Sequence, residues 1–441
     1  MSAQELDTVS TKCQRIAELA KRDPGCSFTS LSHHIDLAWL KRAYLRTRKD
    51  GAAGIDGTTA KDYEQDLDEN LGRLLEAAKS GSYHAPPVKR VWIPKGDGKQ
   101  RPIGIPTFED KVLQRAVAMV LESVLEQDFY DSSYGFRPGR SAHQALDAGW
   151  RELGASQGGW VLELDIEAFF DTLEHPHLRA FVRQRVRDGV LCKLIDKWLK
   201  AGVMEDGRLS YREDGTPQGG VISPILANLY LHHVLDHWYE TDVRSRLRGR
   251  SALIRYADDA VLTFRDEADA RKVLEVLPKR FARFGLRLHP VKTRLVQFVL
   301  PDREREGEDH SFDLLGFTHY WGRSQQGRWV IKRKTAKDRL RKALRRVKDW
   351  CRAHRHDPVK EQYVSLSRKL QGHYGYYGII GNRPALYRFR MELIRLWVKW
   401  LGRRSQRRLT WGAAIPLLRR LHLPEPPPSL SECPPPRSRM R

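Results

Sequence analysis

The chain has 441 residues, enough for two or three domains, and its 40% hydrophobic and 30% charged residues are typical of a folded soluble protein. No stretch approaches the roughly 18 apolar residues of a membrane-spanning helix, and the acidic start MSAQELD is unlike a signal peptide, so we expect a cytoplasmic protein. Five scattered cysteines, with no pair at zinc-ligand spacing, indicate reduced thiols rather than a disulfide framework.

The formal net charge of +23 is concentrated in one segment. Residues 331–420 contain 26 Lys and Arg against 5 Asp and Glu, whereas residues 1–330 contain 49 and 48. Such a local excess predicts a polyanion-binding surface, and nucleic acid is the first polyanion to consider for a soluble protein. A solvated helical face rich in Lys and Arg is the alternative interpretation.

The first 105 residues predict helices followed by a hairpin. Residues 1–85 are predicted to be helical, because LAWLKRAYLRTR and YEQDLDENLGRLLEAAK carry apolar residues at helical spacing on either side of the turn-like KDGAAGIDGTT. In PPVKRVWIPKGDGKQRPIGIP, prolines and glycines surround two short β-rich runs. This pattern predicts a hairpin with the exposed basic tip KGDGKQ.

The remaining elements predict an α/β block and then a helical one. The strand VLELD ends on an aspartate, and the strand ALIRY doubles back at ADD into AVLTF. From about residue 331 the pattern is helical, with an apolar face formed by Leu340, Leu344, Val347 and Trp350 or Cys351. Residues 424–441 form a proline-rich tail that we expect to be disordered.

Three aspartates stand where predicted strands end. Asp165 ends VLELD, and Asp258 and Asp259 occupy the turn of ALIRYADDAVLTF. Nucleotidyl transfer uses two divalent ions about 3.5–4 Å apart, and Mg²⁺ prefers carboxylate oxygens on rigid supports. If the two strands are neighbours, the three carboxylates converge at one edge of the sheet. By itself, an Asp pair in a turn is equally explained by local hydrogen bonds.

From about residue 14 to 423 the chain resembles the reverse transcriptases encoded by group II introns. The family's blocks occur in its order: RPIGIPTFEDKVLQRAV at 101–117, SYGFRPGRSAHQAL at 133–146, LDIEAFFDTL at 164–173, GTPQGGVISPILANLYL at 215–231, then RYADDAVLTF, GLRLHPVKTRLV and LLGF. The run SPILANLYL after PQG is the group II style, unlike that of retrons and diversity-generating retroelements. Two departures, Ala260 after the Asp pair and Pro290 after His289, involve no metal ligand.

The resemblance implies an α+β fold with the right-hand arrangement of polymerases. It implies an N-terminal helical extension (1–85), fingers and a palm with a ferredoxin-like mixed sheet (86–320), and a helical thumb with a maturase domain (321–423). The implied activity is RNA-directed DNA synthesis that copies intron RNA, together with intron RNA binding that assists splicing and mobility. The implied partners are group II intron RNA, primer–template, target DNA and deoxynucleoside triphosphates, with no membrane and no predictable protein partner.

The resemblance also implies the residues of the polymerase site. Asp165 and Asp258, with Asp259 beside them, would hold two Mg²⁺ ions. Phe170 would exclude a ribose 2′-hydroxyl by its bulk, and Lys292 would donate a proton to the leaving pyrophosphate. The other expected nucleotide contacts are Arg101, Gln218, Lys95 and Lys111.

The segment 370–411 resembles the maturase region, also called domain X. Aromatic and arginine side chains there would stack on exposed bases while cations meet phosphates. The predicted RNA contacts are Tyr374, Tyr376, Tyr377, Arg403, Arg404, Arg407 and Arg408. Trp397 and Trp400 are predicted to be buried instead.

Many relatives append an endonuclease with His and paired Cys ligands for a metal. This chain ends in CPPPRSRMR, where the single Cys433 cannot build such a site, so we expect insertion to use a primer made elsewhere. Two alternative functions stay open. One is an RNA-binding splicing cofactor with a dispensable polymerase, and the other is a reverse transcriptase domesticated for defence or repair.

Overall fold

The computed structural model of the chain describes residues 3–94, 100–205, 207–211, 215, 219–300, 310–404 and 411–427. Helices and strands both occur throughout, which confirms the predicted mixed α+β class. The chain divides into two compact units, each built from two separate stretches. Unit 1 comprises Met1–Ala145 and Leu164–Arg294, and unit 2 comprises Leu146–Glu163 and Leu295–Arg441.

The α-helices, in chain order, are α1 (Ala3–Arg22), α2 (Leu37–Arg46), α3 (Ala60–Glu64), α4 (Leu67–Ser80), α5 (Phe108–Leu125), α6 (Ala142–Ala155), α7 (His175–Arg185), α8 (Gly189–Leu199), α9 (Ser223–Leu231), α10 (Glu267–Ala282), α11 (Lys337–Ala353), α12 (Val359–Tyr377), α13 (Arg383–Leu401) and α14 (Trp411–Leu421). Among the described residues, no helix combines the length and the apolar composition that crossing a membrane requires.

The strands are β1 (Val88–Pro94), β2 (Gln100–Ile105), β3 (Gly158–Leu164), β4 (Val203–Glu205), β5 (Arg208–Ser210), β6 (Ser251–Tyr256), β7 (Asp259–Phe264), β8 (Arg294–Val299), β9 (Phe312–Leu314), β10 (Phe317–Arg323) and β11 (Trp329–Thr335). One sheet of unit 1 has the strand order β2-β1-β4-β5, and a sheet of unit 2 has the order β11-β10-β9.

Several helices of unit 1 begin at residues whose side chains accept hydrogen bonds from backbone N–H groups of the first turn. The side chain of Asp36 accepts a hydrogen bond from the Trp39 amide, and that of Thr107 accepts one from the Asp110 amide. Helix α5 is buried around most of its circumference and packs against α1 and α2. The Trp39 indole donates to the Ala116 carbonyl at 2.9 Å, which joins α2 to α5. The helices predicted within residues 1–85 are thus confirmed.

Both predicted hairpins are present in unit 1. Strands β1 and β2 pair antiparallel from Lys89 opposite Ile105 to Pro94 opposite Gln100, while residues 95–99 of the expected tip lie outside the described residues. Strands β6 and β7 form the second antiparallel hairpin. This second hairpin carries the aspartate pair.

Unit 2 combines the β9–β11 sheet with helices α11 to α14. Arg333 on β11 forms an ion pair of 2.7 Å with Asp147 of α6, and the Trp150 indole donates to the Ile331 carbonyl at 3.0 Å. Neighbouring β10 and β11 pair along their whole lengths. Because these contacts tie α6 to β11, the two separate stretches of unit 2 form one packed body.

The helices of unit 2 share a core on the predicted apolar face of α11. Val347 and Cys351 are buried there, with Leu340, Leu344 and Trp350 packed against them. Trp397 of α13 is fully buried and its indole donates to Gln362 Oε1 at 2.9 Å; Trp400 is partly buried against the same core. The predicted burial of both tryptophans is therefore confirmed.

Candidate active site

Asp258 and Asp259 lie at the tip of the β6–β7 hairpin. Tyr256 pairs with Asp259, so the turn itself consists of Ala257 and Asp258. Ala257 has a φ of 57°, a left-handed conformation that alanine seldom adopts. A Cβ atom added at Gly135 would lie 2.3 Å from the Ala257 nitrogen. Only glycine at position 135 allows its segment to cover the turn so closely.

Asp165 follows β3, and the segment from His289 to Thr293 holds it. The Asp165 carbonyl accepts a hydrogen bond from the His289 amide at 2.8 Å and one from the Thr293 hydroxyl at 3.3 Å. Lys292 Nζ lies 3.2 Å from Asp165 Oδ2. The structure therefore brings the predicted Lys292 next to the first predicted metal ligand.

Asp165 and Asp258 interact electrostatically across the site. Burial raises the pKa of Asp258, and the Asp165 carboxylate raises it further, whereas Arg101 and Arg255 lower it. Like charges held close together disfavour ionisation, and a divalent cation between them offsets that repulsion. The end of β3 and the β6–β7 turn thus each supply a carboxylate, and the charge of one acts on the other.

The third aspartate is placed differently from the other two. Asp259 is exposed at the start of β7. Within the part of the chain that the structure describes, no three His, Cys, Asp or Glu side chains form a group that could hold a metal ion. The candidate oxygen ligands for a hard cation are the carboxylates of Asp165 and Asp258, with Asp259 following Asp258 in the chain.

Phe170 lies in a short 3-10 turn, Phe169–Asp171, that begins after Ala168 in a left-handed conformation with a φ of 45°. Its ring meets the Phe169 ring edge to face, with centroids 5.4 Å apart, and stays partly exposed. A Cβ atom at Gly215 would lie 2.8 Å from the Phe170 carbonyl oxygen. The glycine that opens the PQG block is therefore packed directly against the Phe170 turn.

The predicted basic contacts differ in their surroundings. Arg101 on β2 is exposed, and its positive charge lowers the pKa of Asp258. Lys111 on α5 donates from Nζ to the Ala52 carbonyl at 2.7 Å, so this cation is directed at the glycine-rich turn before α3. Lys95 lies outside the described residues.

Gln218 also lies outside the described residues, but the chain that follows it is described. Gly219 has a φ of 115°, and a Cβ atom there would lie 2.5 Å from the Gly104 carbonyl oxygen. The backbone at Gly219 therefore lies close to β2, the strand that carries Arg101. A side chain at position 219 would push these two segments apart.

A buried network that the motifs do not reveal supports the Asp258 turn. Arg255 of β6 is fully buried and pairs with fully buried Asp236, with Nε–Oδ1 and Nη2–Oδ2 distances of 2.7 and 2.5 Å. Its Nη1 donates to the carbonyl of Ala257 at 3.0 Å. The remaining acceptors are Asn228 Oδ1 at 3.1 Å and Ser133 Oγ at 2.7 Å. All five guanidinium N–H groups are thus used, and one fixes the carbonyl next to Asp258.

A sequence signal for this network exists. Arg255 interrupts the apolar strand ALIRY, and Asn228 interrupts the apolar helix SPILANLYL. Polar residues inside apolar runs require partners once they are buried. Asp236 reaches its partner from a π-helical turn, His232–Asp236, which continues α9. The sequence predicts that partners exist but does not say which residues they are.

A second buried network holds the segment that follows Gly219. Gln114 Oε1 accepts hydrogen bonds from the amides of Val221 and Ile222 at 2.7 and 3.2 Å. Its Nε2 donates to Asp110 Oδ2 at 2.9 Å. Burial raises the pKa of Asp110 to about 6. Two further donors to this carboxylate are the Tyr83 hydroxyl at 2.5 Å and the Trp198 indole at 2.7 Å.

The tyrosines predicted to contact RNA lie at the C-terminal end of α12. Tyr374 is buried and donates to the Pro424 carbonyl at 3.1 Å, which leaves no face of its ring for a base. Tyr376 is exposed at its ring, and its hydroxyl donates to the Leu315 carbonyl at 2.8 Å. Tyr377 is partly buried, with its ring 5.2 Å from that of Phe317.

The predicted arginine contacts follow α13. Arg403 is exposed, and its guanidinium lies 5.1 Å from the centroid of the Trp400 ring. Arg404 is partly buried and donates to the Asp357 carbonyl. Arg407 and Arg408 lie outside the described residues.

The chain is similar to a known family over the region that contains these residues. Residues 93–319 match the family model described as reverse transcriptase (RNA-dependent DNA polymerase), which is more than half of the chain. Protein YkfC of Escherichia coli K12 is 36% identical over 288 residues, which cover 58% of this chain and 75% of YkfC.

Two further relatives carry intron names. The group II intron-encoded protein LtrA of Lactococcus lactis subsp. cremoris is 37% identical over 226 residues, which cover 50% of this chain but only 37% of LtrA. The nuclear intron maturase 4 of Arabidopsis thaliana is 29% identical over 147 residues, covering 33% of this chain and 18% of that protein. The chain therefore belongs to the reverse transcriptase family, and over half of its length it is similar to a group II intron-encoded protein.

Proposed function

We propose that this chain is an RNA-directed DNA polymerase of a group II intron, which copies intron RNA by extending a primer with deoxynucleotides. The observation that carries the proposal is the position of Asp258 in the β6–β7 turn, within the residues 93–319 that match the reverse transcriptase family, where the Asp165 charge also acts on its carboxyl group. In the reaction, the primer 3′-oxygen bonds to the α-phosphorus of the nucleotide and the bond to the β-phosphate oxygen breaks. Pyrophosphate leaves, and the 3′-hydroxyl proton passes to solvent.

Two Mg²⁺ ions complete this proposal. Asp165 and Asp258 would hold both, with Asp259 contributing from the start of β7. The chemistry that these carboxylates would recruit is a lower pKa of the primer hydroxyl and neutralised charge on the phosphates. Lys292, whose Nζ lies 3.2 Å from Asp165 Oδ2, would protonate the leaving pyrophosphate.

The nucleotide would lie between Asp258, Phe170 and Arg101. Arg101 offers a forked pair of donors to the triphosphate, with Lys95 as a second cation and Lys111 held back at the Ala52 carbonyl. The partly exposed ring of Phe170 would exclude a 2′-hydroxyl by contact. Gln218 would pack against the nucleotide. The segment that follows Gly219 is held by Gln114, whose Oε1 accepts a hydrogen bond from the Val221 amide.

The same proposal assigns the larger parts of the chain. Residues 1–85 would form an N-terminal extension, 86–320 the fingers and palm of a right hand, and 321–423 the thumb and maturase region. The net charge of +21 on residues 331–420 would draw in intron RNA, and the protein would assist splicing by binding the folded RNA. The exposed Tyr376 and Arg403 are then better placed for RNA contact than the buried Tyr374.

The test is primer extension by Asp165→Asn and Asp258→Asn variants on an RNA template. We expect each substitution to lower extension by at least about a thousandfold, because it removes a metal-binding charge, while RNA affinity changes less than about twofold. Asp68→Asn is the matched control, since Asp68 is exposed, pairs with Lys41 and lies far along the chain from the site residues. Extension at the control's level by either site variant would refute the assignment.

A further inference from the structure

Phe136 is a large aromatic side chain that is held in solvent. It is 55% exposed, and its backbone adopts a left-handed conformation with a φ of 57°. Both features cost stability, because apolar surface stays in water and a residue with a Cβ atom disfavours this conformation. An unfavourable side chain in an unfavourable conformation, enforced by its surroundings, is characteristic of a functional contact.

The neighbours of Phe136 enforce its position. Gly135 is packed against the backbone of Ala257, and Asn228 Nδ2 donates to the Gly135 carbonyl at 2.6 Å. On the other side, Arg137 is buried and pairs with Glu126 at 2.8 Å. Its guanidinium also donates to the carbonyls of Tyr130 and Ser133 at 2.6 and 2.7 Å. Because both neighbours are fixed in the interior, the chain between them leaves Phe136 at the surface.

The exposed ring lies beside the proposed catalytic turn. Its centroid is 6.4 Å from that of Tyr256, the residue that directly precedes the Ala257–Asp258 turn. The segment of Phe136 runs along β6, since Tyr134 donates from its amide to the Arg255 carbonyl at 2.8 Å. The described nucleotide contacts of the proposal belong to other segments, namely Arg101 on β2, Lys111 on α5, Phe170 in its turn, and Lys292 before β8. The ring therefore borders the catalytic turn from the β6 side.

We propose that Phe136 is a stacking residue for the nucleotides at the primer 3′ end. The proposal rests on the polymerase function above, which requires the primer 3′-hydroxyl to lie at Asp258. An aromatic ring next to Tyr256 is then within reach of the terminal nucleotides of that strand. Stacking on an aromatic face accepts every base, which suits a polymerase that must hold any primer end. It also removes the exposed apolar face of the ring from water.

The decisive variant is Phe136→Asn, tested in the full-length chain by steady-state primer extension and thermal unfolding. Asparagine tolerates the left-handed conformation and exposes no apolar surface, so we expect an unchanged Tm or a rise of about 1–3 °C. We expect the KM for primer–template to rise about tenfold, the loss of one stacked base, with the KM for the deoxynucleotide unchanged. Phe136→Tyr keeps the ring and should retain the wild-type KM values.

Gln157→Asn is the matched control, because Gln157 has a φ of 54° but belongs to unit 2. It should raise or keep the Tm as Phe136→Asn does and leave both KM values unchanged. Unchanged KM values for Phe136→Asn would make Phe136 a plain surface residue, and a rise confined to the deoxynucleotide KM would make it part of the nucleotide pocket. Either result overturns the proposal. A wild-type chain that extends no primer would instead refute the polymerase function itself.

Discussion

The guanidinium of Arg255 is the interior support of the turn that presents Asp258. It is fully buried, and it binds the Ala257 carbonyl, which belongs to the peptide bond preceding Asp258. A buried ion pair is weak evidence for net stability, because desolvation offsets much of the attraction between its charges. Its value here lies in geometry, since a planar fork with five donors fixes several acceptors at once.

We predict that Arg255→Lys impairs catalysis beyond its effect on folding. A lysine ammonium cannot reach all the acceptors, so the Ala257 carbonyl loses its partner and the turn gains freedom. We expect kcat per folded molecule to fall about tenfold or more and the Mg²⁺ concentration for half-maximal extension to rise. Circular dichroism gives the folded fraction, and extension rates are measured across a Mg²⁺ titration.

Arg185→Lys is the matched control for Arg255→Lys. Arg185 is also buried and pairs with Asp128 at 2.9 Å, and it donates to several main-chain carbonyls, but it contacts no residue of the proposed site. Both variants should lower the Tm, because each weakens a buried ion pair. Equal losses of kcat per folded molecule, with no change in Mg²⁺ dependence, would make Arg255 a purely structural residue.

Among the elements, α5 links the block RPIGIPTFEDKVLQRAV at 101–117 to the block GTPQGGVISPILANLYL at 215–231. Asp110 and Gln114 lie one helical turn apart on the buried side of α5. Gln114 donates a hydrogen bond to Asp110 and accepts hydrogen bonds from the segment after Gly219. The Asp110 carboxylate only accepts, so Gln114 must present its NH₂ group to it. The Gln114 oxygen is thereby turned toward the amides of Val221 and Ile222.

We predict that Asp110→Asn disrupts the hydrogen bonds that connect Asp110, through Gln114, to the amides of Val221 and Ile222. The Trp198 indole can only donate, so it will hold the Asn oxygen and leave the new NH₂ group facing Gln114. The Gln114 side-chain amide must then rotate by half a turn or lose its hydrogen bond to residue 110. If it rotates, the amides of Val221 and Ile222 lose their acceptor, which costs about 1–3 kcal/mol of stability for each amide. We expect kcat/KM for the deoxynucleotide to fall about tenfold while RNA affinity is unchanged.

Steady-state kinetics with varied deoxynucleotide concentration measure this effect. The control is Asp269→Asn, because Asp269 is another buried carboxylate of unit 1 and accepts from the amides of Arg248 and Gly249. That variant should cost stability without a selective change in the KM for the nucleotide. If both variants alter kinetics alike, the α5 network has no particular link to the loop.

At the scale of the whole molecule, the net charge differs strongly between the N-terminal and C-terminal parts of the chain. Residues 331–420 carry a net +21, and residues 1–330 a net +1. Long-range attraction of a large RNA should therefore come from the C-terminal segment, whereas the polymerase site holds its substrates through local contacts. Each phosphate neutralised releases counterions, so binding by that segment should weaken steeply with salt.

Replacing Arg403, Arg404, Arg407 and Arg408 by Gln should lower affinity for all RNAs. If each meets a phosphate, the log–log salt slope should flatten by roughly 3, at about 0.7 per contact. Splicing assistance should suffer more than extension of a short template. Filter binding across salt concentrations, with intron and unrelated RNA, measures the slope, and primer extension runs alongside.

A control with the same change of net charge replaces Arg48, Arg244, Arg271 and Lys279 by Gln. These are exposed cations of unit 1, each within an ion pair with a nearby carboxylate. Their loss should change the salt slope little. If the C-terminal variant keeps its slope and its splicing but loses extension, the arginines hold the primer instead of intron RNA.

The sequence by itself determined the family and the local elements. The ordered blocks are specific because each has its own residue pattern, and the family match over residues 93–319 agrees with them. The hairpins and the apolar face of α11 were also predictable, because spacings of two and 3.6 residues follow from backbone geometry alone. The division into extension, fingers, palm, thumb and maturase region stays a prediction.

Only the tertiary structure decided which predicted side chains are free to act. Lys111 and Tyr374 have the right chemistry for their expected ligands, yet one is bound to the Ala52 carbonyl and the other is buried. Asp236 belongs to no quoted motif and Gln114 was assigned no role within its own, yet Asp236 holds Arg255 beneath the Asp258 turn and Gln114 holds the Val221 and Ile222 amides. A sequence pattern records the type and spacing of residues along the chain, whereas hydrogen-bond partners are chosen by burial, which joins residues far apart in sequence.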